Sequence, residues 1–123
     1  MKKKFLFKII FHISNFFLCL LYLYPGSILG WLIYDNYLKQ PQIMSNFLIS
    51  TNHACAFILL STLGLFSYHP NKHKIVFFYL FSLSIFLELC HIIIPNRSFE
   101  FDDLLGNLAG VFFIFILRRF MKL

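Results

Sequence analysis

Apolar residues fill this chain in long runs, and the polar ones collect between the runs. The first run covers residues 5–24. At 1.5 Å of rise per residue, about 20 residues match about 30 Å of hydrocarbon, so the run predicts a membrane-crossing helix. Pro25 and Gly26 end it, because proline removes a backbone donor and glycine loosens the chain. His12, Ser14 and Asn15 interrupt the run and are expected to face other helices. Further runs predict helices over about 47–68, 75–94 and 103–120. Residues 27–34 are apolar but too few to span. Trp31, Tyr34 and nearby Tyr37 favour the membrane interface. The segment is expected to be interfacial or re-entrant, or else the end of a first helix kinked at Pro25. Loops fall at 35–45, 68–74 and 95–102. Asp102 or Asp103 suits the start of the last helix, where a carboxylate caps amides and meets the positive end of the dipole.

Composition agrees with the pattern. Hydrophobic residues make up 59% of 123 residues and charged ones 13%, with a mean hydropathy of +0.76. Eighteen phenylalanines cannot be hidden inside so small a globule, so lipid must be the solvent for much of the surface. The expectation is one all-α domain over residues 1–123, a polytopic membrane protein of about four helices. The net charge of +6 is set by residues at the ends of the apolar runs. These read as topological anchors, and no nucleic acid is expected. Lys2, Lys3, Lys4 and Lys8 lie at one end of the chain, Lys72 and Lys74 in the middle turn, and Arg118, Arg119 and Lys122 at the other end. The two remaining loops hold only Lys39 and Arg97. That bias places both termini in the cytoplasm. Residues 5–24 are long for a signal sequence and no small-residue cleavage site follows, so the first helix reads as retained. Cys19, Cys55 and Cys90 fall inside apolar runs without metal-ligand spacing and read as small hydrophobes.

The chemistry concentrates in residues 88–110. Four of the five acids lie there, and Glu88 sits within an apolar helix, where a charge costs roughly 2.5–3.5 kcal/mol on insertion scales. His91 follows it on the same helix face, with Ser84 one turn earlier. Asp103, Asn107 and Gly110 share a face of the next helix. Gly106 and Gly110 form a small-residue step that permits close packing. Spacing from the loop places Glu88 level with Gly110 and His91 level with Asn107, with His53 near the same depth. A polar patch opening outward is the result, with Arg97 and Asp103 on its rim.

Glu88, Pro95, Arg97, Asp103, Asn107 and Gly110 form the pattern E-x6-P-x-R-x5-D-x3-N-x2-G. The pattern resembles the signature of the VanZ-like family of small bacterial membrane proteins, over about residues 10–118. His91 stands where the family more often has Gln. A second family motif, Asp-Lys, two residues, His and an aromatic four residues on, is met by His53 and Phe57, while Ile49 and Ser50 replace the Asp-Lys pair. The resemblance implies a multi-pass protein of the bacterial cytoplasmic membrane, associated with resistance to glycopeptides of the teicoplanin type or with envelope and exopolysaccharide genes.

Three functions fit the residues. In the first, the protein is no enzyme, and the patch binds a lipid-linked glycan or anionic envelope precursor. Arg97, Asp103, Asn107 and Glu88 would contact the ligand, with Pro95, Gly106 and Gly110 structural. Arg97 either takes the anion or pairs with Asp102 or Asp103. In the second, Glu88 with His91 or His53 performs acid–base chemistry on a lipid-linked substrate, with Ser98 a weak nucleophile. In the third, Glu88, His91 and His53 bind a metal. A di-metal site needs several further acids, and Glu88 is the single acid read as deep, so no metal or cofactor is expected. His12, His69 and His73 read as interfacial or solvated.

Overall fold

The computed structural model describes residues 1–122. It is all-helical, with no strand among the described residues. The first helix, α1 (Lys2–Leu23), stops ahead of Pro25, with Tyr24 in the extended conformation that a following proline favours. The short α2 (Ile28–Tyr34) starts afresh, so a continuous kinked helix is excluded. The Ser27 hydroxyl accepts from the Gly30 amide at 2.9 Å and caps it. The chain then folds back across α2. Ser27 N–H donates to Tyr37 O, and a Cβ on Gly30 would collide with Lys39 O.

Several helix boundaries differ from the sequence reading: α1 begins at 2 and not at 5, and the later helices shift too. The next helix, α3 (Thr51–Ser67), begins at 51 and not at 47. The backbone there is engaged elsewhere: Thr51 N–H donates to the Asn46 side chain, and Ser50 N–H to Asp102 O. A 3-10 turn, Pro70–Lys72, leads into α4 (His73–Cys90), which stops short of 94. Residues 91–93 make tighter turn bonds, and Pro95 turns Ile94 away from helical geometry. The last helix, α5 (Phe101–Met121), opens two residues before 103. Asp102 and Asp103 lie in its first turn, favourable to the dipole, but neither caps it; the N-cap is Glu100, without a side-chain bond.

The long helices run up, down, up and down. Phe7 stacks on Phe66 and Tyr22 meets His53, so α1 and α3 are antiparallel. Phe77 meets Phe115 while Asn107 reaches Ser84, so α4 and α5 are antiparallel as well. Two descending helices, α3 and α5, pack side by side on small residues. A Cβ on Gly106 would meet Ser50 O at 2.5 Å, and one on Gly110 would meet Ala54 O at 2.6 Å. Phe57, Leu60, Leu80, Leu87 and Val111 form the core.

Three helical segments are long and apolar enough to cross a membrane: Lys2–Leu23, Pro70–Cys90 and Phe101–Met121. The 17 residues of α3 are apolar but shorter. Their outer faces carry exposed Phe, Leu and Ile, as lipid contact requires. One end of the bundle gathers Lys4, Lys8, Lys72 and Arg118 around Tyr68. His73 is at this end too, but buried rather than solvated. Its Nε2 lies 3.1 Å from Leu65 O and 3.0 Å from Tyr68 O, where it closes the end of α3.

Candidate functional site

At the opposite end, four helices converge on buried polar groups. α4 supplies Glu88 and His91, which is the C-cap residue and not an interior one. α5 supplies Asp103 and Asn107, α3 supplies His53, and α1 supplies Tyr22. Glu88, His91 and Asn107 are almost wholly buried, while His53 and Asp103 keep side-chain exposures of 15% and 20%. Buried polar groups need partners, and the partners here fix several hydrogens.

The Ser84 carbonyl can only accept, so Asn107 presents Nδ2 to it, at 3.0 Å. Its Oδ1 then faces the other way. It accepts from Tyr22 O–H at 2.6 Å and from His53 Nδ1–H at 3.1 Å. His53 thus donates through Nδ1 and turns Nε2 to Asp103, 3.6 Å away. His91 Nε2 donates to Tyr22 O at 2.9 Å. Its Nδ1 meets Glu88 Oε1 at 3.3 Å. One proton must lie between these two atoms, on the imidazole or on the carboxyl. Either placement leaves the Glu88–His91 pair with zero net charge. Glu88 Oε1 also accepts from Glu100 N–H at 3.1 Å, whereas Glu88 Oε2 is buried without a hydrogen-bond partner.

The depth register differs from the one read from spacing. Asn107 is level with Ser84, not His91, and Glu88 is level with Glu100 and Asp103, not Gly110. Because α4 ends at Cys90, the following loop folds back beside it, and α5 starts lower than a simple hairpin would place it. Asp103 moves from the rim into the cluster.

Arg97 pairs with neither Asp102 nor Asp103. Its Nη2 donates to Leu21 O at 2.8 Å and its Nε to Tyr24 O at 3.3 Å, closing the end of α1. Burial pulls its guanidinium below the ordinary value, and the Asp103 and Glu88 charges oppose that fall. It remains a cation.

A cavity of about 290 Å³ opens beside the cluster. Its lining includes the polar Tyr22, Asn52, His53, His91 and Arg97 and the apolar Leu18, Leu21, Ala56 and Leu59. Ser98 lies outside it, bonded to the Glu100 side chain. Pro95 is an exposed loop residue, and Gly106 and Gly110 serve packing. Tyr22 escaped the sequence reading. It sat in an apolar run, and its signal was the hydroxyl, which needs a partner once its ring is buried.

Comparison with family models, with curated proteins and with solved structures finds no match for this chain.

Proposed function

We propose that this is a VanZ-like protein of the bacterial cytoplasmic membrane, with four spans and both termini cytoplasmic. Its outward-facing pocket binds the polar end of an amphipathic envelope molecule, a lipid-linked glycan or anionic precursor, and so contributes to glycopeptide tolerance or envelope assembly. The observation that carries this reading is the cavity, whose lining includes Arg97, His53 and His91 as well as the apolar Leu21, Ala56 and Leu59. A ligand with one charged end and one greasy end suits such a mixed lining. The basic residues gathered at the other end of the bundle favour the orientation.

Ala56→Phe tests the pocket without touching the polar network. In a host lacking the gene, equal expression of this variant should abolish both retention of lipid-linked precursors and protection against teicoplanin-type glycopeptides. Wild-type behaviour of Ala56→Phe would overturn the reading.

One observation favours an enzyme as the second reading. His53 lines the cavity with Nε2 directed at Asp103, an arrangement suited to proton transfer at a bound substrate. Conversion of a lipid-linked precursor by purified protein, lost in His53→Gln, would support it.

A further inference from the structure

We propose that His53, Glu88 and Asp103 form a binding site for one divalent metal ion of the zinc class. Three elements, α3, α4 and α5, bring one donor each, and the donor atoms lie within 4.8 Å of one another. A tetrahedral ion with ligands at about 2.0–2.2 Å holds them about 3.4 Å apart, so the site closes by side-chain rotation that brings Glu88 Oε2 to the Nε2 side of His53, where Asp103 already lies.

An independent observation points to an ion at this place. Glu88 is completely buried, and its Oε2 has no hydrogen-bond partner. His91 meets only the other oxygen, Oε1, and a buried carboxylate oxygen left without a hydrogen bond is costly. His53 Nδ1 lies 3.9 Å from Oε2, too far for a hydrogen bond and already bonded to Asn107. Arg97 gives it no hydrogen bond, because its guanidinium is bonded to the α1 carbonyls.

The supporting contacts are those a metal site needs. A metal-bound histidine donates its second nitrogen to an oxygen, which fixes its tautomer and ring orientation. His53 does this through Nδ1 to Asn107 Oδ1, leaving Nε2 as the available lone pair. A ligating carboxylate is held by hydrogen bonds to its other oxygen. Glu88 Oε1 receives Glu100 N–H and His91 Nδ1. One imidazole with two carboxylates suits a borderline divalent ion, zinc first and manganese second. Asp103 and His53 are partly exposed, which gives the ion a way in. Bound there, it would give the cavity a Lewis-acid end. Ion binding is measured apart from the pocket reading, so either can fail alone.

The test uses the full chain in lipid nanodiscs, purified without a polyhistidine tag, stripped with a chelator and then offered Zn2+ or Mn2+. Elemental analysis after desalting should find one ion per chain. Asp103→Asn and His53→Gln should each weaken binding by at least about tenfold. Asp102→Asn, an exposed neighbour, should bind as wild type does. Should the variants fail to fold, X-ray absorption on zinc-loaded wild type decides. The expected shell is nitrogen and oxygen at about 2.0–2.2 Å with imidazole scattering. No stoichiometric ion, equal binding by all variants, or sulfur ligation from the nearby Cys55 would each overturn the site.

Discussion

Tyr22 touches three members of the polar cluster, His53, His91 and Asn107. Its hydroxyl bonds Asn107, its carbonyl accepts from His91, and its ring stacks on His91 at 5.8 Å. Tyr22→Phe keeps the ring and the carbonyl and removes one buried hydrogen bond, so it should cost about 1 kcal/mol, read as a lower unfolding temperature with helicity intact. A variant as stable as wild type would mean that the hydroxyl is redundant. Arg97→Lys keeps a charge but loses the fork that spans two carbonyls. It should destabilise by about 1–3 kcal/mol even in ligand-free protein, whereas a purely ligand-binding arginine would leave ligand-free stability untouched. The spacing of acids, histidines and Asn107 made the patch legible in the sequence. What Arg97 grips was not legible, because its partners are the backbone carbonyls of Leu21 and Tyr24, which no side-chain pattern encodes.

Between elements, the closest approach is that of α3 to α5, and glycine is what permits it. At Gly110 an added Cβ would meet backbone and side-chain atoms of α3, Ala54 O at 2.6 Å and Phe57 Cβ at 2.8 Å. The backbone there cannot turn aside, so the helices themselves must separate. Gly110→Leu should therefore cost at least the 1–3 kcal/mol typical of overpacking, about that or more, and should loosen the cluster on both helices. Thermal unfolding in detergent measures the first effect. Increased labelling of Cys55, on α3, measures the second, and unchanged values for both would remove this contact from the account of stability. The small-residue step was legible as a packing device, though its partner helix was not. Helix ends were the weak point for a physical reason. Residues 47–50 and 91–94 are apolar enough to extend the neighbouring runs, yet Asn46, Asp102 and Pro95 redirect their backbone.

The whole molecule is polarised along its axis. Lys4, Lys8, Lys72 and Arg118 collect at one end, and the Glu88–Asp103 cluster with its cavity lies at the other. This polarity was readable from the chain, because lysine and arginine alternate between loops on a scale longer than any helix. The count of spans is less direct. α3 is apolar, and at 17 residues it reaches only about 25 Å, yet it packs against both α1 and α5 along its length. In the proposed four-span arrangement, the loop before Thr51 would make up the remaining depth. In the proposed orientation, residues 35–50 face outward and the 68–72 turn faces the cytoplasm. Both placements are open to a direct check in a background with Cys19, Cys55 and Cys90 replaced. Gln42→Cys in intact cells should react with a membrane-impermeant maleimide, and Asn71→Cys should react only after the membrane is opened. The reverse result would turn the cluster to the cytoplasm and end its proposed contact with envelope precursors. Reaction of both sites from outside would mean that α3 does not cross, leaving three spans and a bundle whose ends are no longer distinguished by charge.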